Sequence, residues 1–370
     1  MVKLVRRGTR GRSLAVAGLL ASTMLCASYG AAGAADAAGD KVKFGWNAAF
    51  SVTLAHIAFG QELGFFKDER IDLEIVQIQG AFAVLQQILS GGLDTGYVAL
   101  EAGPITKQRS GGTSPIKFIY NYTRETIWEI AVPEKSDIKS IKDLKGKRIA
   151  TGSMASGNVP VTKAILAAVG MSPDDVSFQV TGQGAPAFRA LQTGNVDALN
   201  LYDTQHATLE AMGFPLRRLS FPKEFTNMPS HGFPVTNATL AEKRDVLGRF
   251  GRAWSKSIVA CKAAIENCIH AYWKRFPDLA PRPGDESERM RVETIVLKAR
   301  LDKLTAFKPG AQHLLGSFSA EDWQTVAHNL KASGQIESDK GPFDDLYSSD
   351  LVAEFNRFDV SQVEAKAKGK

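Results

Sequence analysis

Cysteine and histidine are scarce in this sequence, which has three cysteines and six histidines among 370 residues. The histidines are scattered, and no cysteine or histidine pair has the spacing of a metal site, so we expect neither a metal nor a cofactor. Cys261 and Cys268 fall in one helical pattern over residues 253–273. On a continuous helix, residues seven apart lie about 10 Å apart along the axis, which is beyond the reach of a disulfide. We therefore expect two small, buried core residues.

Long apolar runs are lacking beyond the amino terminus. Basic residues at positions 3, 6, 7, 10 and 12 precede a mostly apolar stretch over residues 14–27, and small residues follow at 32–34. This order is typical of a secretory signal peptide. The apolar stretch is shorter than the roughly 20 residues of a membrane-spanning helix. We therefore expect residues 1–34 to be removed and the mature protein to be exported and soluble.

Net charge is nearly absent once residues 1–34 are set aside. The whole chain has 45 Lys and Arg against 39 Asp and Glu, a formal charge of +6. The first 34 residues hold five basic residues and no acidic ones, which leaves 40 against 39, or +1. A mature chain of this charge has no net attraction to nucleic acid or to anionic lipid. We therefore expect no nucleic-acid partner.

What the sequence does contain is a strand–helix–strand pattern over residues 64–101. Apolar runs at 73–78 and 95–100 indicate strands, and a helical pattern lies between them, bounded by a Gly-Ala turn and a Gly-Gly stop. The alternation of strands and helices predicts an α/β fold with parallel strands.

The pattern returns about a hundred residues later in the chain. Gln79-Gly80-Ala81 recurs as Gln183-Gly184-Ala185, and Ser90-Gly91-Gly92-Leu93-Asp94 recurs as Thr193-Gly194-Asn195-Val196-Asp197. Such an internal repeat predicts two similar α/β lobes with a cleft between them. The two aspartates precede strands on the side away from the cleft, and we interpret both as turn or cap residues.

Polar and small residues follow the predicted strands, at the edge where open α/β sheets bind ligands. Asn47, Phe50 and Ser51 follow the first strand and are either pocket residues or an ordinary capping turn. Tyr202 and Asp203 end a later strand. Asp203 either accepts a hydrogen bond from a ligand amine or hydroxyl or caps the helix that follows.

A loop rich in serine and glycine, residues 152–158, precedes the first helix of the second predicted lobe. Free backbone N–H groups and the positive end of the helix dipole suit an anion there, and the alternative is simple N-capping by Ser156 or Asn158. The loop lacks the Walker and GxGxxG signatures of nucleotide sites. No arginine lies inside a candidate cleft turn, and Arg124 only borders one. His231 is expected at the surface, and the alternative is that it faces the cleft.

The predicted division of the chain follows from these patterns. Residues 41–125 form the first part of lobe 1, and residues 126–235 form lobe 2. Residues 236–370 return to lobe 1 and add carboxy-terminal helices, which we expect to pack on its sheet and on the junction between the lobes. The proline-rich stretch 221–235 is expected to be irregular. The later helices are predicted at 241–276, 286–304, 320–333 and 346–356.

Four motifs in this order resemble one known family. They are GFFK at 64–67, SGGLD at 90–94, DLKGKR at 143–148 and TGNVD at 193–197. Their order and spacing resemble the periplasmic solute-binding proteins of ABC importers, in the nitrate, taurine and alkanesulfonate and thiamine-pyrimidine-precursor (NMT1/THI5-like) branch. The resemblance covers roughly residues 41–240. It implies a two-lobed, type 2 periplasmic-binding-protein-like fold with a hinge.

The resemblance also implies where a ligand is held. Carried over by position, the ligand-binding residues are Asn47, Phe50, Ser51, Val52, Gly80, Ala81, Phe82, Tyr97, Ala99, Ser153, Ala155, Ser156, Gly157, Asn158, Gln183, Gly184, Tyr202 and Asp203.

The function that the resemblance implies is capture of a small solute in the periplasm, without chemistry. The expected ligands are small organic acids, sulfonates or carboxylates including aromatic ones, or nitrate. A thiamine-pyrimidine precursor is the alternative. The expected partners are an ABC permease and, through it, a cytoplasmic ATPase, and the protein is expected to be a monomer.

An enzyme and a transcription regulator are the competing hypotheses. A pyrimidine-precursor synthase shares the fold, but its subfamily carries a cysteine-rich motif that this chain lacks. No Ser/His/Asp set has informative spacing, so we expect no catalytic residues. The effector domain of a regulator would follow a DNA-binding helix pair, whereas this chain has an export signal at that place.

Overall fold

The computed structural model describes residues 39–226, 228–307 and 313–369. The predicted signal peptide lies outside the described residues.

Strands and helices alternate over residues 40–218, which confirms the predicted α/β class. Among the described residues the strands are β1 (Asp40–Trp46), β2 (Ile71–Gln77), β3 (Thr95–Gly96), β4 (Val98–Ala99), β5 (Ile116–Thr123), β6 (Trp128–Pro133), β7 (Arg148–Thr151), β8 (Ser177–Val180), β9 (Ala198–Tyr202), β10 (Leu216–Arg218) and β11 (His231–Thr236). The α-helices of the same ranges are α1 (Ala55–Glu62), α2 (Phe65–Asp68), α3 (Ala81–Leu89), α4 (Ala102–Arg109), α5 (Asn158–Ala168), α6 (Ala185–Gln192), α7 (Asp203–Ala211), α8 (Lys223–Thr226), α9 (Asn237–Glu242), α10 (Arg244–Ala263), α11 (Ile265–Arg275), α12 (Glu286–Leu304), α13 (Ala320–Ala332), α14 (Val352–Phe355) and α15 (Val360–Ala367).

The strands form three sheets. The first has the order β2-β1-β3 with parallel neighbours, so the predicted strand–helix–strand unit is confirmed. The second has the order β10-β6-β9-β7-β8, and its β9-β7-β8 part is parallel. The third, β4-β11-β5, is antiparallel. Because only Tyr97 separates β3 from β4, the first and third sheets meet at this residue.

The five-stranded sheet takes all its strands from residues 128–218, whereas the two smaller sheets take theirs from 40–123 and 231–236. We call the smaller sheets with their helices α1 to α4 and α10 the first part, and the five-stranded sheet with α5 to α7 the second part. The chain passes between them over residues 124–127 and again over 219–230. Movement of the two parts as separate lobes about a hinge stays a prediction.

The internal repeat extends to its hydrogen bonds. The Asp94 carboxylate accepts a hydrogen bond from the backbone N–H of Lys43 in β1 at 2.8 Å. Asp197 accepts the equivalent bond from Arg148 in β7, also at 2.8 Å. Asp94 therefore ties the segment before β3 to the middle of β1, and Asp197 ties the segment before β9 to the first residue of β7, which agrees with their interpretation as turn residues.

Stacked and crossed aromatic rings hold the first part together. The Phe44 ring lies 4.9 Å from that of Phe233 and 4.8 Å from that of Trp254. These residues come from β1, β11 and α10, so the returning strand and the long helix share one core with the first strand. Burying three such side chains removes a large apolar area from water, which is the main force for docking these elements.

Two predicted segments differ from the structure. The proline-rich stretch expected to be irregular contains β11, because its edges pair with β4 and β5 and this tertiary pairing outweighs local sequence preference. The single helix predicted over 241–276 is three helices, α9, α10 and α11. Of the helix predicted over 346–356 only α14 forms, whereas the one predicted over 286–304 is α12, with the same bounds.

The two cysteines are buried core residues, as expected, but the expectation that they lie beyond the reach of a disulfide is wrong. Cys261 and Cys268 form a disulfide, with Cα atoms 5.1 Å apart. The predicted helix is not continuous, since Ala264, with φ −147° and ψ 70°, separates α10 from α11. The resulting bend shortens the distance that a straight helix would impose.

The carboxy-terminal helices reach both parts of the molecule. Helix α10 packs on α1, as predicted for helices that return to the first part. Helix α12 packs on α7 and on the short 3-10 turn at Val52–Leu54, and α13 packs on α5. Helix α12 therefore carries its side chains to the junction of the two parts.

Removing the disulfide is expected to lower the free energy of unfolding by about 2 to 3 kcal/mol. The bond joins residues seven positions apart, and the loop that it closes restricts the unfolded chain. Urea unfolding of Cys261→Ser, Cys268→Ser and the double variant checks this. Either single change opens the same loop, so all three variants should lose a similar amount. Additive losses from the two single changes would instead indicate that packing of the side chains matters.

Candidate functional site

A cavity with a volume of about 30 Å³ lies where the two parts meet. It has room for roughly two water molecules, since one needs about 10 to 15 Å³ of such space. The lining residues are Trp46, Asn47, Ala48, Thr53, Gly80, Ala81 and Tyr97 from the first part, Ile127, Trp128, Gly152, Ser156, Gly157, Asn158, Gln183, Leu201 and Tyr202 from the other side, and His231 and Arg300.

Three helices begin beside this cavity. Helix α3 starts at Ala81, α5 at Asn158 and α7 directly after Tyr202. The first N–H groups of a helix have no partner within it, and the helix dipole places partial positive charge at this end. At α7 these groups are already used, since the Asp203 N–H donates to the Ile127 carbonyl and the Thr204 N–H donates to Oδ1 of Asp203. The α3 and α5 ends are therefore the ones that favour a ligand with negative charge.

Aromatic rings form one wall of the cavity. The rings of Trp46 and Tyr97 stack with centroids 4.7 Å apart. The other face of Tyr97 stacks on His231 at 4.1 Å, and Trp128 lies 5.0 Å from the His231 ring. Each ring fixes the orientation of its neighbour, so the polar edges of the wall are held in place before any ligand arrives.

Four nitrogen atoms of this lining are buried without a hydrogen-bond partner among the described residues. They are Nε1 of Trp46, Nε1 of Trp128, Nε2 of His231 and Nε of Arg300. Leaving a buried donor unpaired costs about 1 to 3 kcal/mol. Such a group in a native structure requires an explanation, and a bound acceptor in the cavity supplies one for all four.

His231 is neutral, and its two ring nitrogens have different surroundings. Burial lowers the pKa of His231 well below its ordinary value, and the charge of Arg300 lowers it further. Its Nδ1 lies 3.3 Å from Oγ of Ser230, which accepts from the Ile127 N–H and donates to the Glu125 carbonyl oxygen at 3.4 Å. Nε2 is a donor in the tautomer in which Nδ1 accepts from Ser230, and an acceptor in the other tautomer.

Arg300 is the charged group of the site. Its side chain is 3% exposed and donates to Oδ1 of Asp203 at 2.6 Å, while a second nitrogen lies 3.5 Å from the Tyr97 hydroxyl. Burial alone lowers the pKa of Arg300, but the Asp203 carboxylate outweighs it and leaves the pKa above its ordinary value. Lys303, one turn further along α12, lies 3.5 Å from the other Asp203 oxygen.

Half of the residues predicted from the sequence line the cavity. They are Asn47, Gly80, Ala81, Tyr97, Ser156, Gly157, Asn158, Gln183 and Tyr202. The Asn158 amide is fully used within the second part, where it donates to the Asn200 carbonyl and to Thr151. Tyr202 donates to Gln183 at 3.1 Å, so these two side chains hold each other at the cavity wall.

Four other predicted residues belong to the first part but do not line the cavity. The Phe50 ring instead packs 5.3 Å from that of Phe276, at the end of α11. Ser51 is hydrogen-bonded to Thr53 at 2.9 Å. Val52 is a buried core residue, and Phe82 is half-buried against the same core.

The remaining predicted residues support the lining from behind. Ser153 accepts a hydrogen bond from the Ala155 N–H at 3.1 Å. The Gly184 N–H donates to Gln205, so this glycine caps α6 without facing the cavity. Asp203 acts through Arg300. Ala99 is buried in β4.

Sequence reasoning missed the residues that supply the unpaired donors. Trp46 ends β1 directly before the predicted turn, and Trp128 begins β6. His231 was expected at the surface, but it is fully buried because β11 carries it between two paired strands. Arg300 has one local signal, since it interrupts the apolar stripe of α12 formed by Val296, Leu297, Leu301 and Leu304. A buried charge on such a face requires a partner.

Arg124 lies away from this cavity. Its guanidinium donates to the carbonyl oxygens of Ala306 and Ser317 and lies 4.6 Å above the Phe307 ring. It therefore fixes the end of β5 to the carboxy-terminal region.

Within the described ranges, no helix is both long and apolar enough to cross a membrane. The same residues contain no group of three or more His, Cys, Asp or Glu side chains arranged to hold a metal ion.

Comparison with known proteins places these features in context. The model of the NMT1/THI5 like family matches residues 52–266, which is more than half of the 370-residue chain. The Bacillus subtilis (strain 168) binding protein YtlA is 21% identical over 305 residues, which cover 82% of this chain and 86% of YtlA.

Solved structures share the fold at low sequence identity. The alkanesulfonate-binding protein SsuA from Xanthomonas axonopodis, bound to MOPS, has a TM-score of 0.62 and 17% identity, covering 84% of this chain and 99% of its own. The nitrate-binding protein NrtA from Synechocystis has a TM-score of 0.61 and 14% identity, covering 88% of this chain and 91% of its own. The ligand-binding component of an ABC-type import system from Staphylococcus aureus has a TM-score of 0.61 and 13% identity, covering 86% of this chain and 100% of its own. These likenesses confirm the predicted type 2 periplasmic-binding fold.

His231 is expected to stay neutral as the pH falls through about 6.5, the ordinary pKa of histidine, because its own pKa is lowered by burial and by Arg300. Side-chain ¹⁵N NMR of the folded protein measures this. A lowered folded pKa means that the unfolded chain takes up the proton first, so His231 makes the protein less stable as pH falls below about 6.5. A midpoint for His231 near 6.5 in the folded protein would contradict the assigned environment, and the same protein in urea provides the unperturbed reference.

Proposed function

We propose that this chain, which belongs to the NMT1/THI5-like family, is the extracytoplasmic solute-binding component of an ABC importer. It captures a small anion in the cavity between its two parts and delivers it to a membrane permease, which a cytoplasmic ATPase drives. The named functions of SsuA, NrtA and the import component from Staphylococcus aureus support this role. The protein acts as a monomer.

One observation carries the choice of an anion: the unpaired buried atoms of the lining are all nitrogens, and three of the four, in Trp46, Trp128 and Arg300, can only donate. An oxoanion offers only acceptors, so its oxygens can satisfy the two tryptophan N–H groups and the free Arg300 N–H together, and His231 as well in the tautomer with its proton on Nε2. Hydrogen bonds to a charged group contribute about 1.5 to 3 kcal/mol each. Three or four of them approach the roughly −8 kcal/mol of a micromolar dissociation constant.

The charge balance of the site favours a monovalent anion. Arg300 is already paired with Asp203, and both side chains are almost fully buried. Lys303 adds one further positive charge at 3.5 Å from Asp203. A second negative charge on the ligand would enter a buried site without a matching cation, and desolvating an unpaired charge costs several kcal/mol.

The size and lining of the cavity set the order of the candidate ligands. Four aromatic rings (Trp46, Tyr97, Trp128 and Tyr202) favour a small organic acid, a sulfonate or carboxylate, whose apolar body they can contact. The present volume of about 30 Å³ is far below the roughly 300 Å³ of typical organic-ligand pockets, so the shut form favours the smallest members of this class. Nitrate is the second candidate, because it requires less space. A thiamine-pyrimidine precursor is the remaining alternative, supported by the rings alone.

We infer binding rather than catalysis. Cys261 and Cys268 are joined to each other and lie outside the cavity lining, so neither is available as a nucleophile at the site. The disulfide also supports export to the periplasm, because such bonds form and persist in oxidising compartments and are rare in the cytosol. This support is independent of the amino-terminal sequence.

Thermal-shift screening of the exported protein against sulfonates, carboxylates, nitrate and pyrimidines tests the proposal. A true ligand raises the melting temperature with concentration. Trp46→Phe and Trp128→Phe remove one N–H each while keeping a ring, and each should weaken binding of that ligand by about 10- to 100-fold. Trp323→Phe is the matched control, since its Nε1 is equally buried and unpaired but lies outside the cavity lining. Equal losses in all three variants, or no ligand among the anions, would contradict the proposal.

Discrimination between methanesulfonate and sulfate tests the charge argument, because the two are similar in shape but differ by one charge. The wild-type protein is expected to bind methanesulfonate at least about 100-fold more tightly, which corresponds to roughly 3 kcal/mol. Asp203→Asn adds one net positive charge beside Arg300 and should reduce this ratio by about tenfold or more. Asp94→Asn, the same change at the ion pair with Lys243 outside the cavity lining, should leave it unchanged. Calorimetric titration measures both anions, and circular dichroism verifies that each variant is folded.

A further inference from the structure

Gly157 and Ala99 approach so closely that no side chain fits at position 157. A Cβ atom built on Gly157 would lie 2.4 Å from the Cβ of Ala99 and 3.1 Å from Cζ2 of Trp128. The backbone does not require glycine there, because φ is −65° and ψ is −19°, values that any residue adopts. Space alone therefore accounts for this glycine.

A second close approach lies beside the first. A Cβ atom on Gly80 would lie 3.2 Å from the Cβ of Ala155 and 3.3 Å from its carbonyl oxygen. Here φ is +96°, so the conformation itself also favours glycine. Gly80 and Gly157 both line the cavity.

Each contact joins the two parts of the molecule. Gly80 and Ala99 belong to the first part, at the start of α3 and in β4. Ala155 and Gly157 belong to the loop between β7 and α5 of the second part. We call these two pairs, Gly80 with Ala155 and Gly157 with Ala99, the seam. At the seam the two parts are in close contact beside the cavity.

We propose that Gly80 and Gly157 are closure contacts, the two positions whose lack of a side chain lets the parts shut on a captured solute. This inference rests on the proposed function. A methyl group at position 157 requires the contact with the Cβ of Ala99 to widen from 2.4 Å to at least 3.0 Å, since Cβ atoms essentially never approach more closely. The cavity walls, including Trp128, then cannot reach their positions in the structure. Gly80 and Gly157 are positioning residues, because they act through the approach of the two parts.

The seam is distinguishable from crowding inside a rigid core. Gly251 in α10 is as crowded, since its added Cβ would lie 2.2 Å from the Phe355 ring. Gly251 in α10 and Phe355 in α14 belong to helices that pack on each other, so their contact does not lie between the two parts. Overpacking such a core destabilises a protein, whereas overpacking a closure contact shifts the balance towards the parted form and leaves each part intact.

The test compares Gly157→Ala, Ala155→Val and Gly251→Ala in the exported protein. Ala155→Val crowds Gly80 from the opposite side and provides a second variant if Gly157→Ala fails to fold. Thermal melting is measured without added solute, and small-angle scattering gives the radius of gyration with and without sodium methanesulfonate and sodium nitrate.

We expect Gly157→Ala and Ala155→Val to melt within about 1 °C of the wild type, and Gly251→Ala to melt at least about 2 to 4 °C lower. Both seam variants should lose the solute-induced decrease in radius of gyration and bind the effective anion at least about tenfold more weakly, mainly through faster dissociation. A melting loss for the seam variants equal to that of Gly251→Ala overturns the inference. Wild-type compaction and affinity in both seam variants also overturn it.

Failure of the proposed function would be seen separately, as a wild-type protein that neither binds nor compacts with either anion. The melting comparison then decides the inference alone. Retained melting temperatures in the seam variants support a seam that opens, and losses that match Gly251→Ala overturn it.

Discussion

The buried ion pair between Arg300 and Asp203 is the interaction on which the site depends. The side chains are 3% and 5% exposed, and either charge alone at such a depth would be strongly unfavourable. Each residue therefore fixes the other, and the pair joins α12 to the start of α7. Because Asp203 pairs with a terminal nitrogen of the Arg300 guanidinium, the Nε of Arg300 keeps no partner among the described residues. The pair also cancels most of its own charge, so the attraction for an anion comes from N–H dipoles, helix ends and the more exposed Lys303.

Topology explains why residues far apart in sequence meet at this pair. The carboxyl ends of parallel strands lie on one edge of a sheet, which brings Trp46 of β1 towards the cleft. Strand β6 is antiparallel to β9, so its first residue, Trp128, lies opposite Tyr202, the last residue of β9. The short gap between β3 and β4 turns Tyr97 inward. The ring wall is thus a consequence of strand direction, and the side chains only have to be aromatic.

Features set by local pattern could be predicted from the sequence, and features set by distant contacts could not. The Gly-Ala repeat at Gly80 and Gly184 placed two helix starts correctly, because a glycine before a helix is a local signal. Arg300 comes from a helix about a hundred residues beyond the last predicted cleft turn, and only its position on an apolar face indicates a special role. The helix break at Ala264 has no local signal at all, since alanine favours helices. The disulfide was missed for that reason, and His231 was missed because the pairing of β11 is a tertiary effect.

The unpaired donors give the proposed closure a thermodynamic cause. In the closed form without a solute, each buried polar nitrogen that has lost its water costs about 1 to 3 kcal/mol, so four of them cost at least about 4 kcal/mol. Parting the walls lets water bind these groups and removes the penalty. An anion removes it in another way, by accepting the same hydrogen bonds while the walls stay shut. The solute therefore binds the closed form far better than the open one, which is the condition for a ligand to shift a conformational equilibrium. The glycine seam sets how closely the walls approach, and the donors ensure that they stay there only around an acceptor.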